Sequence, residues 1–145
     1  MAKKSDVSEE KQKALQEKYM EFQVLGARVK KIREQLEVMD QQCVEMNSVI
    51  ESLAEFGRVK NGSEVLVPVS NGIFARAELK DNDALIVNVG SDVCVGKTVV
   101  ETEEILASRL QEMVDEREQV FSQLQRFGLM AQELERDLTK LASEA

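Results

Sequence analysis

Two runs of apolar residues spaced alternately three and four apart constrain this chain more than any other feature. In the N-terminal third the run is Phe22, Leu25, Val29, Ile32, Leu36, Met39, Cys43, Met46, Ile50 and Leu53. In the C-terminal third it is Leu106, Leu110, Met113, Arg117, Val120, Leu124, Phe127, Ala131, Leu134, Leu138 and Leu141. Such alternation averages about 3.5 residues per turn, the period of a coiled-coil seam rather than of the broader apolar face of a globular helix. The rest of the chain agrees: 43% of its 145 residues are hydrophobic but only 4% aromatic, with one proline and no tryptophan. A chain built this way exposes long helices and encloses little, which favours grasping, spacing or assembly over catalysis.

The helix boundaries follow from local signals. Asp6 followed by Glu9 resembles a capping box and places the first helix at residues 6–56, from Ser5 or Asp6 to Phe56, with Gly57 as its stop. Thr98-Val-Val-Glu101 offers a second capping box, opening a helix over residues 101–143. Between them, residues 63–100 change period. Val65, Val67 and Val69 alternate with Leu66 and Pro68, Asn71-Gly72 is a hairpin signal, and Lys80–Asp83 and Gly90–Asp92 are further turns. The reading is two β-hairpins, with Pro68 on an edge strand or at a bulge because it cannot donate to a ladder. Two hairpins alone bury too little to be stable in water. Both strand faces carry apolar residues, Leu66, Phe74 and Ile86 on one and Val67, Val87 and Val95 on the other. Such strands call for partners on both sides, and so for an oligomer.

If the hairpins return the chain to the level at which it left, Leu53 faces Leu106 and the helices pair antiparallel. Facing positions then sum to about 159, with Phe22 near Asp137 and Ala145 near Ala14. The far end of the pair combines the start of one helix with the end of the other. There Lys18 takes a seam position and Leu138 and Leu141 lack strong partners, leaving an apolar tip suited to a flexible ligand.

Catalytic and metal chemistry find no support. Histidine is absent, and Cys43 and Cys94 lack the spacing of a metal motif. Gly90-Ser-Asp-Val-Cys-Val-Gly96-Lys97-Thr98 imitates a P-loop but has five residues between its glycines, where the phosphate-cradling loop needs about four. The net charge of −8 and eleven acids against five bases in residues 101–145 disfavour nucleic acid. The one basic cluster, Arg28, Lys30, Lys31 and Arg33, reads as a solvated coil flank. Arg117 reads as a snorkelling seam residue paired with a nearby Glu, or as a register-setting polar group. No apolar run approaches the length of a membrane span and the start lacks a signal-peptide core, so a cytoplasmic protein is expected.

The order long helix, two hairpins, long helix closely resembles the α-class subunit of prefoldin over essentially the whole chain. The most specific stretches are Glu64–Leu79 (EVLVPVSNGIFARAEL), Ile86–Gly90 (IVNVG) and Val99–Leu106 (VVETEEIL). The resemblance implies an α+β fold of one domain over residues 1–145, its two helices an antiparallel coiled coil and its hairpins assembling into an intersubunit β-barrel. It implies a hetero-hexamer of two α-class and four β-class prefoldin subunits, with α-class self-pairing in the platform. The interface is then expected at Val65, Leu66, Val67, Val69, Ile73, Phe74, Leu85, Ile86, Val87, Val89, Val93 and Val95. Non-native polypeptides would be held at the tips, by Leu15, Tyr19, Met20, Phe22, Leu138 and Leu141, and passed to a group II chaperonin. The charged start (Lys3, Lys4, Glu9, Glu10, Lys11, Lys13) would contribute to the tip. No ATP, cofactor, metal, nucleic acid or membrane is implied. The rival reading is a coiled-coil spacer without chaperone activity.

Overall fold

The computed structural model describes residues 2–144, with side chains from Asp6 onward. Ala145 and the side chains of Lys3, Lys4 and Ser5 lie outside the described residues. The order of elements is α1 (Ala2–Phe56), β1 (Glu64–Ser70), β2 (Ile73–Glu78), β3 (Leu85–Asn88), β4 (Cys94–Lys97) and α2 (Val99–Ser143). Contacts divide the chain into two units, residues 1–40 with 115–145 and residues 41–114.

The first unit is a pair of antiparallel helical segments. Every seam position in it is buried or half-buried, with Leu25, Ile32 and Leu36 the most enclosed. Outside the seam Val24, Leu129 and Met130 are exposed. The register differs from the expected one. Lys18 Nζ meets Asp137 Oδ2 at 3.1 Å, Arg28 lies 5.9 Å from the centre of the Phe127 ring, and Arg117 pairs with Asp40. Facing positions therefore sum to 155 at the first two contacts and 157 at the third, not 159. Asp137 sits opposite Lys18, one turn beyond Phe22. α1 also begins at Ala2, so Asp6 and Glu9 lie inside the helix rather than at its start. Ala2, Lys3 and Lys4 are strong helix formers, and no breaker precedes Asp6.

In the second unit the hairpins are separate two-stranded antiparallel sheets, β1–β2 and β3–β4. In the first, Val65 faces Ala77, Leu66 faces Arg76 and Pro68 faces Phe74, after which the register shifts before Ser70 meets Ile73. The irregularity falls beside the residue that cannot donate. Only Gly72 of the Asn71-Gly72 pair has positive φ, at 75°, so the loop is not the type I′ turn that Asn-Gly favours. β3 and β4 are shorter than the sequence pattern suggests. Gly90, Ser91 and Asp92 all have positive φ, and Val99 already belongs to α2.

Loops between these elements are held by side chains. Asn82 Nδ2 donates to the carbonyls of Gly57 at 3.3 Å and Val59 at 2.7 Å, and its backbone N–H donates to Asn61 Oδ1 at 2.7 Å. Leu79 N–H donates to Ser63 O at 2.9 Å and Gly62 N–H to Leu79 O at 2.6 Å, extending the first hairpin beyond its strands. Arg109 reaches from α2 to the carbonyl of Asn88 at 3.3 Å, tying the second hairpin down. Gly57 does end α1, but without a left-handed φ. A Cβ there would meet Val99 Cγ1 at 3.4 Å, an ordinary contact distance, so the chain leaving α1 lies beside the start of α2.

Candidate functional site

Two surfaces present apolar groups without covering them, one in each unit. On the hairpins, alternation along each strand sends side chains to both faces. Leu66 is 62% exposed, Phe74 57% and Ile86 80%, and Val67, Val69, Ile73, Val89, Val93 and Val95 are exposed as well. Val65, Leu85 and Val87 are half-buried. Leu66 and Phe74 share a face, since Phe74 lies opposite Pro68, two residues along from Leu66. Val67, opposite Ala75, points the other way. The outer edges of both two-stranded sheets are unpaired among the described residues.

The second surface lies in the first unit, at the end that joins the start of α1 to the end of α2. Leu15, Tyr19, Phe22 and Leu138 line an open groove of about 720 Å³, with Gln12, Gln16, Glu135, Thr139 and Ala142 around it. Of the six residues expected at the tip, the fold brings these four together. Leu141 faces a neighbouring hollow with Val7 and Leu15. Met20, 62% exposed, opens instead on the opposite flank of α1, beside Val24, Leu25, Met130 and Leu134. Val24 and Met130 were not anticipated, although an apolar residue at an outward heptad position was a signal in plain view.

The residues that imitate a P-loop have structural duties. Lys97 ends β4 and its Nζ lies 3.5 Å from Glu101 Oε2. Thr98 Oγ1 accepts from the Glu101 backbone N–H and donates to Glu101 Oε1, each at 3.2 Å, while Asp83 Oδ1 accepts from Val99 N–H at 3.0 Å. The Thr98 hydroxyl is the first reason that the Glu101 carboxyl is held below its ordinary range, with Lys97 adding to it. Cys43 is half-buried in the seam and Cys94 exposed on β4. Among the described residues no group of three or more His, Cys, Asp or Glu is placed to hold a metal ion, and no helix is long and apolar enough to cross a membrane.

Comparison with known proteins adds an independent line. The family model described as Prefoldin subunit matches residues 25–144. The chain is similar to the prefoldin subunit alpha of Thermofilum pendens, 30% identical over 93 residues that cover 64% of this chain and 72% of the relative. It is 28% identical over 129 residues to the prefoldin subunit alpha of Methanococcus vannielii, covering 89% of this chain and 86% of that one. Among solved structures it resembles the filamentous PFD from Methanocaldococcus jannaschii, with a TM-score of 0.55, 19% identity and coverage of 85% of this chain and 96% of that one. That likeness speaks for the fold of helices and hairpins. With the match spanning both helices and the hairpins between them, the chain belongs to the prefoldin subunit family.

Proposed function

We propose that this chain is the α-class subunit of an ATP-independent co-chaperone, a hetero-hexamer with β-class subunits whose hairpins combine into a β-barrel. The helical tips hold non-native polypeptides and hand them to a group II chaperonin in the cytosol. Membership in the prefoldin family supports the co-chaperone class. The observation that carries the capture step is the open apolar groove of Leu15, Tyr19, Phe22 and Leu138 at the end of the helix pair, where no other part of the described chain covers it.

The energetics suit transient holding. The groove of each tip offers four apolar side chains, each worth about 1.5–3 kcal/mol only when fully buried, and an open groove leaves a flexible ligand covering them in part. One tip retains nothing for long. Several tips on one platform raise the effective concentration of apolar groups around a bound chain, and each contact still breaks quickly.

The test removes residues 1–20 and 136–145. Mixed with a β-class subunit, the truncated chain is expected to reach the same mass by light scattering after gel filtration. It is also expected to lose the ability to suppress aggregation of a denatured enzyme. A truncated complex that protects as well as the intact one sinks the tip reading and leaves a spacer role ahead.

A further inference from the structure

The chain has five asparagines, and two of them precede a glycine, in Asn61-Gly62 and Asn71-Gly72. An asparagine followed by glycine is open to attack on its own carboxamide, because the glycine nitrogen has no Cβ beside it and its backbone turns freely. The attack needs that nitrogen free of other bonds, since it must give up its proton and swing toward the side-chain carbon. Both pairs are exposed, so access to water does not separate them.

Hydrogen bonding does. Gly62 N–H donates to Leu79 O at 2.6 Å, and Asn61 Oδ1 accepts from the Asn82 backbone N–H at 2.7 Å. The three asparagines not followed by glycine are restrained in the same way. After Asn82, Asp83 N–H donates to Asp81 Oδ1 at 2.9 Å, while Asn82 Nδ2 is engaged by two carbonyls. After Asn88, Val89 N–H donates to Val93 O at 2.9 Å, and Asn88 Oδ1 accepts from Gly90 N–H at 2.9 Å. After Asn47, Ser48 N–H lies within α1, where the helix ladder takes it. Gly72 differs. With Asn71 it forms the two-residue loop left between the paired Ser70 and Ile73, and its φ of 75° takes it out of the strand conformation. Among the described residues nothing accepts from its N–H and nothing bonds to the Asn71 carboxamide.

We infer that Asn71 is a self-modifying site, converted through the Gly72 nitrogen to aspartate and isoaspartate in the folded chain while the other four asparagines are spared. The Gly72 nitrogen gives its proton to base and bonds to Asn71 Cγ, and the side-chain nitrogen leaves as ammonia, closing a cyclic imide. Water then opens the ring. Breaking the new bond to Cγ leaves aspartate on an unaltered main chain. Breaking the original bond between the residue 71 carbonyl carbon and the Gly72 nitrogen leaves isoaspartate, with the main chain running through Cβ. The balance is carboxamide plus water to carboxylate plus ammonium, with no oxidant or reductant. Either product puts a negative charge in a loop flanked by the exposed Val69, Ile73 and Phe74, and isoaspartate also lengthens that loop by one backbone carbon.

The test incubates the intact chain at neutral pH in water labelled with a heavy oxygen isotope, then digests it and maps the peptides by mass spectrometry. Heavy oxygen at a former asparagine counts only conversions made during the incubation. Asn71 is expected to convert about tenfold faster than Asn61 or more, since the bonds to Asn61 and Gly62 must break before that pair reacts. In strong urea those bonds are gone, and the two Asn-Gly pairs are expected to agree within about twofold. Equal rates in the folded chain overturn the inference. So does an Asn71 lead of the same size in urea, because local sequence rather than the fold would then be its source. A second readout is an acidic form of the chain that grows with time on ion exchange. Asn71→Ser, which keeps a turn-forming residue in the loop, is expected to remove most of it. An acidic form that grows as fast in this variant overturns the assignment to Asn71.

Discussion

Arg117 occupies a seam position that its neighbours Met113 and Val120 keep apolar, and Asp40 on the opposite helix answers it. The guanidinium donates through Nε to Oδ1 and through Nη2 to Oδ2, the second at 3.4 Å, and it lies 5.9 Å from the centre of the Phe121 ring. A polar residue in a seam gives up some burial and in exchange penalises slipped registers, in which Arg117 would lose the exposed Asp40 that answers it from beside the seam. The hydrogen bond from Arg117 is the main reason that the Asp40 carboxyl lies below its ordinary 3.8; desolvation opposes it and the charge of Arg117 adds to it. A carboxylate whose folded pKa is depressed contributes stability that is complete above the unfolded value. That contribution is lost as pH falls through the lowered folded value. Asp40→Asn should therefore be less stable than the unaltered chain by an amount that is constant between about pH 5 and 8 and vanishes in acid below the ordinary carboxylate range. Denaturation midpoints across pH check this, and a gap that persists in strong acid would assign the loss to packing. The sequence announced Arg117 as an anomaly but suggested a glutamate partner. It could not name Asp40, because the register that joins them is set by many weak contacts along the seam.

At the scale of elements the most informative junction is the start of α2. The capping box of Thr98 and Glu101 was legible because it is written within four residues, and the structure contains it. Thr98→Ala removes the acceptor for the Glu101 N–H and should cost about 1 kcal/mol. Urea denaturation measures that loss, and Thr98→Ser should recover most of it. Features that depend on distant partners were not legible. Gly57 read as the stop of α1, and α1 does end before it, but that it lies against Val99 at the start of α2 has no signal near it in sequence. Nothing near Asn82 in sequence shows that it ties down Gly57, Val59 and Asn61. The expected register was anchored on Leu53 facing Leu106, which treated the intervening loops as neutral. The contacts in the first unit fall two to four residues away from that expectation.

At the scale of the whole molecule, the hairpins carry the requirement for partners. Ile86 is 80% exposed in the chain alone, so Ile86→Asp should change the chain's own melting by less than about 0.5 kcal/mol. In an assembly that covers this face, the same change buries an unpaired carboxylate, and mixing with a β-class subunit should then give no high-mass species. Circular dichroism and gel filtration with light scattering separate the two effects. Normal assembly of the variant would show that this face stays in water. Both the apolar hairpin residues and the seam were legible, because alternation by two and by three and four survives in the sequence whatever the tertiary structure. Of the six residues expected at the tip, Leu15, Tyr19, Phe22 and Leu138 line one groove, Leu141 a neighbouring hollow and Met20 the other flank, since spacing along one helix does not say which flank of the pair a residue joins. The open sheet edges have a further consequence for the cell that makes this protein. If the proposed platform is what finishes these strands, the safe abundance of the chain is fixed by the supply of its partner subunit. Each surplus copy carries ready templates for unwanted pairing, so synthesis in proportion, or prompt removal of the excess, becomes part of what keeps the protein harmless.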